Sequence, residues 1–203
     1  MPFRKTKYPS FLEDDLSFGK KALIFFWEIF KVVVISLAII VPVRYFLIKP
    51  FYVKGASMEP NFYDHEYLII DEITYRFSAP ERGDSVVFRF PLDPGQYFIK
   101  RIIGLPNEKI KIADGKIYIF NQAKPEGEVL NENYLLPAMK TLGEVEVQLG
   151  ADEYYLLGDN RTASLDSRIF GPVKRQFIVG RTLLRGWPLE RVGLILNNLE
   201  YNL

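Results

Sequence analysis

"KIKIADGKIYIF", residues 109–120, alternates apolar and polar side chains on both sides of Asp114-Gly115. A period of two is the repeat of a strand, and Asp-Gly between two such runs is a strong two-residue hairpin signal. Working outward, six more short runs read as strands: EYLIID (66–71), SVVFRF (85–90), FIKRIIG (98–104), EVEVQL (144–149), YYLLGD (154–159) and FIVGRTLLRGW (177–187). Pro, Gly, Asn and Asp punctuate them. After residue 51 no run has a helical period, and there is no repeat and no βαβ alternation of the kind a nucleotide-binding fold needs. The pattern predicts one mainly β, antiparallel domain over about 50–195, with loop insertions at 91–97 and 121–142.

Upstream the chain changes character. Residues 22–51 read ALIFFWEIFKVVVISLAIIVPVRYFLIKPF. The charge-free core, Val32 to Val43, is 12 residues, too short alone to span a bilayer. Its flanks lengthen it. Trp27 and Tyr45 are 18 positions apart, about 27 Å at helical rise, near the hydrocarbon thickness of about 30 Å. Aromatic side chains favour both membrane interfaces. Glu28 and Lys31 are placed to pair and snorkel, as is Arg44 at the other end. Pro42 is tolerable near a helix end. A cleaved leader fits poorly, because no small-x-small site follows the run directly.

The expected organisation is a cytoplasmic tail at 1–21, a transmembrane helix at 22–48 and an extracytoplasmic β domain at 49–203, with residues 1–20 a mobile polar tail. Five basic residues precede the run (Arg4, Lys5, Lys7, Lys20, Lys21) and three follow it (Arg44, Lys49, Lys54). That balance places the N-terminus inside the cell membrane and the bulk of the chain on its outer face.

Composition narrows the chemistry. The 203 residues are 48% hydrophobic, enough for a core, and the net charge of +1 implies no nucleic-acid partner. With no cysteine there is no disulfide, thiolate metal site or thiol nucleophile. The single histidine, His65, lies in the turn-like NFYDHEY and reads as a surface residue, so a histidine-dependent hydrolase would have one base to choose from.

Three stretches carry candidate chemistry. GASMEP (55–60) holds Ser57 in an irregular turn. In FIKRIIGLPNE (98–108), Lys100 lies mid-strand, sharing a face with Phe98 while Ile99 and Arg101 share the other. GDNRTASLDSRIFGP (158–172) is a polar loop after an apolar strand. A strand lysine can simply snorkel to water, and a polar loop can simply be surface. The functional alternative is a desolvated Lys100: burial disfavours the ammonium, and a neutral amine can take a proton from a serine hydroxyl. From the residues alone the reading stops at a membrane-anchored β domain with a possible Ser/Lys site.

Together these stretches resemble the bacterial type I signal peptidases, membrane-bound serine proteases with a Ser-Lys dyad. Four boxes occur in the family's order: Ser57-Met58-Glu59-Pro60, Arg82-Gly83-Asp84, KRIIGLP from Lys100 to Pro106, and GDNRTASLDSR from Gly158 to Arg168. The resemblance spans about 22–187. It implies Ser57 as nucleophile, Lys100 as general base and then acid, and Ser164 as a hydroxyl that hydrogen-bonds the lysine amine. Asp159 is expected to pair with Arg101 and Asp166 with Arg168, and the Ser57 N–H to meet the oxyanion. Pockets for small P1 and P3 side chains are expected from Phe51, Val53, Met58, Phe98 and Ile99. The implied partners are preproteins with signal peptides and the lipid bilayer, with no metal, cofactor or nucleic acid.

The departures are local. Asn61 stands where threonine is usual. PNE at 106–108 replaces Pro-Gly-Asp, but Asn tolerates a left-handed turn. Gly55 stands where some members carry a serine that helps the oxyanion hole. Two alternatives compete with this resemblance. Self-cleaving Ser-Lys repressors lack an anchor and carry a DNA-binding helical domain. A catalytically inactive membrane-tethered β module would not need the full set of catalytic residues that is present.

Overall fold

In the computed structural model, residues 18–42, 48–137, 139–195 and 201 are described. The chain divides into two compact units, Met1–Val43 and Arg44–Leu203.

The first unit contributes helix α1, Phe18–Pro42. Its 25 residues extend about 37 Å, and it is long and apolar enough to cross a membrane. Lys31 Nζ donates to Glu28 Oε1 at 2.7 Å, and Trp27 stacks on Phe30. The helix starts four residues before the expected span, and its described part ends at Pro42. Ile48, expected inside the span, already opens the first strand. The proposed interface residues Arg44 and Tyr45 and tail residues 1–17 lie outside the described residues.

The second unit is antiparallel β. Its elements are β1 Ile48–Tyr52, β2 Tyr67–Asp71, the single turn α2 Thr74–Phe77, β3 Ser85–Phe90, β4 Asp93–Gly104, β5 Lys109–Ala113, β6 Lys116–Phe120, β7 Glu128–Val129, β8 Val145–Gln148, β9 Glu153–Leu157, the single turn α3 Ser167–Phe170, β10 Val173–Lys174, β11 Ile178–Trp187 and β12 Gly193–Leu194. The larger sheet runs β1-β2-β11-β3-β4-β9-β10, with β12 on β11; the smaller runs β7-β6-β5-β8.

The hairpin that opened the reading is β5–β6. Asp114 and Gly115 have φ of +53° and +75°, as a turn with two left-handed residues requires. Ala113 then faces Lys116, and Ile110 faces Ile119. Ile110, Ile112, Ile117 and Ile119 are buried with Ile103, Leu149, Tyr155 and Leu157, while Lys111 and Lys116 face water. Gly104 is where the two sheets meet: a Cβ there would lie 2.7 Å from Ile110 and 2.8 Å from Leu149.

Two expectations need correction. The insertion expected at 91–97 is mostly strand. Only Pro91 and Leu92 turn the chain, and Phe90 already faces Asp93. Pro94 and Gly95 look like strand breakers, but they sit at a register shift that absorbs the extra residues. The stretch 121–142 is largely loop but contains β7, paired with β6.

The Arg82-Gly83-Asp84 box forms a buried brace before β3. Arg82 pairs with Glu108 at 2.5 Å, and Tyr75 Oη donates to Asp84 at 2.5 Å. Glu108 also accepts from the Leu105 N–H at 2.8 Å, and Asn107 has φ +66°. The left-handed turn expected of PNE is therefore made by the asparagine, and the glutamate closes it.

Candidate active site

Ser57 lies in a turn seated by its neighbour. Met58 is fully buried among Val53, Phe62, Leu68, Ile70, Val87 and Ile99. The Phe62 N–H donates to Met58 O at 2.9 Å. This anchor presents the serine hydroxyl while the next side chain enters the core. Burying one such side chain is worth about 1.5–3 kcal/mol.

Strand β4 brings the lysine. Lys100, 43 residues from Ser57 in sequence, donates from Nζ to Ser57 Oγ at 2.7 Å. It also donates to Ile99 O at 2.8 Å. Lys100 is 3% exposed. Burial pulls its amine down from 10.5 to about 8, against the opposing pull of Asp166 and Asp159, whose carboxylates favour the ammonium. At pH 7 a pKa of 8 leaves roughly one amine in ten neutral, whereas an ordinary lysine would leave fewer than one in a thousand.

Next along β4, Arg101 points to the other side and grips Asp159 with Nε at 2.8 Å and Nη2 at 2.6 Å. Its guanidinium lies 4.3 Å from the centre of the Tyr134 ring and donates to Gly83 O. Asp159 also accepts from Asn61 Nδ2 at 2.9 Å, so the asparagine that replaces threonine ties the nucleophile turn to this pair.

Asp166 and Arg168 also pair, with Nη2 2.8 Å from Oδ2. Asp166 caps α3 through the Arg168 N–H and accepts from the Gly158 N–H at 3.1 Å. Arg161, fully buried, is held by Glu132, Thr141 and Tyr134.

Ser164 departs from expectation. Its hydroxyl is buried and makes no hydrogen bond among the described residues, to Lys100 or otherwise. The serine packs on Gly158, where a Cβ would fall 2.1 Å from Ser164 Oγ and 2.5 Å from Ser57 O.

A cleft of about 520 Å³ opens over the pair, lined by Phe51, Tyr52, Lys54, Ser57, Gln96, Tyr97, Phe98, Ile99, Lys100 and Leu165. Phe51, Phe98 and Ile99 line it as expected. Val53 and Met58 do not: both are spent on the core beneath the turn. Tyr52, Tyr97 and Leu165 were missed. The strand period gave a signal for Gln96, which shares the Phe98 and Lys100 face, and Leu165 adjoins Ser164. His65 is exposed as expected but has partners, an Asp64 carboxylate 2.9 Å from Nδ1 and the Tyr52 ring.

The site juxtaposes a serine hydroxyl and a desolvated amine at the floor of an apolar cleft, which suits attack on a carbonyl. Comparison with known proteins points the same way. The family described as signal peptidase, peptidase S26, matches residues 26–187. Over 180 residues the chain is 38% identical to a probable signal peptidase I-2 of Synechocystis sp., covering 85% of this chain and 78% of the relative. It is 36% identical over 172 residues to a signal peptidase I of Leptolyngbya laminosa, covering 80% of each. A crystal structure of a signal peptidase I from Enterococcus faecalis V583 aligns at 30% identity and TM-score 0.43, over 51% of this chain and 97% of that one. On the family match and these identities, the chain belongs to the signal peptidase family, peptidase S26, and is a serine endopeptidase that removes signal peptides.

Proposed function

We propose that the chain is a single-pass membrane protein that cuts exported preproteins after a small-x-small sequence, using Ser57 as nucleophile and Lys100 as its base. The observation that carries this reading is the 2.7 Å contact between Lys100 Nζ and Ser57 Oγ, made by a lysine whose amine is held near 8.

In the productive state the amine is neutral, keeps its bond to Ile99 O and accepts the serine proton. Ser57 Oγ attacks the scissile carbonyl, and the Ser57 N–H receives the oxyanion. The ammonium then protonates the leaving amine, which departs as the new N-terminus. Neutral again, Lys100 takes a proton from water as it attacks the acyl-enzyme; the ammonium then returns that proton to Ser57 Oγ as the ester bond breaks and the signal peptide leaves. Arg101–Asp159 and Asp166–Arg168 hold the surrounding loops. Helix α1 tethers the β domain to the bilayer, with the N-terminus cytoplasmic and the cleft on the outer face.

The test uses the full chain in detergent micelles with a preprotein whose signal peptide ends Ala-x-Ala. One cut after the second alanine is expected, lost in Ser57→Ala and Lys100→Ala. Substantial turnover by the Ser57→Ala protein would overturn the assignment.

A further inference from the structure

The loop that follows β9 carries Asn160 beside the Ser57 turn. Asn160 touches the nucleophile turn twice. Its backbone N–H donates to Ser57 O at 3.0 Å, and its side-chain Nδ2 donates to Ala56 O at 3.1 Å. Ala56 O is the carbonyl of the peptide whose other end is the Ser57 N–H, and it also accepts from the Glu59 N–H at 3.2 Å. Among the described residues no acceptor meets the Ser57 N–H itself. Asn160 therefore grips the carbonyls on both sides of the serine N–H, which itself has no acceptor among the described residues.

The amide has one sensible orientation. Ala56 O can only accept, so Nδ2 faces it, and Oδ1 accepts from Thr162 Oγ1 at 3.1 Å. A planar peptide transmits the grip: fixing its C=O fixes the direction of its N–H. A carbonyl that accepts hydrogen bonds also makes its own N–H a stronger donor, as happens along hydrogen-bonded chains. On the other side of Ala56, Gly55 has φ +86° and its N–H donates to Asp64 Oδ1 at 2.8 Å, so the Ala56–Ser57 peptide is held from both directions.

We propose that Asn160 is a positioning residue for the oxyanion, aiming and strengthening the Ser57 N–H through the Ala56 carbonyl, with Thr162 setting its amide. This rests on the reading of Ser57 as nucleophile. The benefit appears only when charge develops on the substrate oxygen, so it raises kcat and leaves ground-state binding alone. Loss of an oxyanion donor outright costs about 10²–10³ in kcat, and loosening one through its carbonyl should cost about tenfold.

The experiment compares Asn160→Asp, Asn160→Ala and Thr162→Val with the full wild-type chain on one preprotein, measuring kcat and KM separately. It adds the affinity of a peptide boronate, which forms a tetrahedral adduct on a serine, and of the matching cleaved peptide, which does not. Thermal unfolding reports folding, and Thr162→Val, at an exposed side chain, guards against a loss of fold in the Asn160 variants. Expected is a fall of about tenfold or more in kcat and in boronate affinity for Asn160→Asp and Asn160→Ala, a smaller fall for Thr162→Val, and unchanged KM and cleaved-peptide affinity. Unchanged kcat and boronate affinity in folded Asn160 variants would overturn the proposal, as would equal weakening of boronate and cleaved peptide. The nucleophile assignment is read separately: Ser57→Ala must abolish cleavage and boronate binding, and if it does not, that assignment is what fails.

Discussion

The Arg101 guanidinium holds the Asp159 carboxylate through two hydrogen bonds of 2.8 and 2.6 Å, with both side chains buried, one residue along the strand from Lys100. Removing one partner of a buried pair strands the other, at about 3–5 kcal/mol, whereas replacing both by apolar groups is often near neutral. Asp159→Leu should therefore destabilise the domain by about that amount. Arg101→Met combined with Asp159→Leu should recover much of the loss. Chemical denaturation of wild type, Asp159→Leu, Arg101→Met and the double variant checks this; strictly additive losses would show that the pair is not coupled.

On the proposed reading, the amine that faces Ser57 sets the pH dependence of turnover. With Lys100 near 8, the acidic limb of kcat/KM should bend near pH 8 and fall tenfold per unit below it. Activity that rose only above about pH 10 would mean that the lysine is not desolvated in the working enzyme.

Asp166 supports the ammonium more than any other charge around Lys100. Asp166→Asn keeps an acceptor for the α3 cap but removes that charge. The amine should then lose its proton more readily, and the acidic limb should move to lower pH. A shift to higher pH, or none in a folded protein, would contradict the electrostatic account.

The same desolvation weighs on stability. The folded amine titrates near 8 and the unfolded one near 10.5, so between those values the unfolded chain binds more protons and stability rises with pH. Below pH 8 the full penalty applies, about 3 kcal/mol for a shift of this size. Lys100→Met removes it. The variant should be more stable than wild type at pH 7, and its advantage should vanish by about pH 10.5. Thermal unfolding across pH 6–11 in detergent gives the difference directly.

Gly158 and Gly55 should behave differently. A Cβ at Gly158 would fall 2.5 Å from the Ser57 carbonyl oxygen, a backbone atom that cannot swing aside. Gly158→Ala should cut kcat at least a hundredfold and lower stability. Gly55 has open space but positive φ, so Ser or Ala there should each cost about 1–3 kcal/mol of backbone strain. Equal effects at the two glycines, read by unfolding and by kcat, would undo this distinction.

What could be read in the sequence had local causes. Asp114-Gly115 demanded a hairpin, and the strands at 66–71, 85–90, 144–149, 154–159 and 177–187 fall within two residues of those observed. Strand β1 was hidden because IKPFY continues an apolar run, and a short apolar strand looks like the end of a membrane helix. Residues 93–97 were hidden by Pro94 and Gly95, whose effect a register shift cancels. At the site, Ser57, Lys100 and both loop ion pairs could be named from the boxes. Nothing local tells that Val53 and Met58 turn inward beneath the serine. Nor does any pattern link Arg161 to Glu132, 29 residues away, or Asn61 to Asp159, 98 residues away. Those contacts exist only once the sheet has closed.

Ser57 precedes β2, Lys100 lies in β4, and Asp159, Asn160 and Asp166 follow β9. A chain halted before residue 158 holds a serine and a lysine but neither the grip on the Ser57 peptide nor the charges that tune the amine. On the proposed reading of Ser57 and Lys100, a nascent chain therefore becomes competent only once the loop beyond β9 has docked on the Ser57 turn.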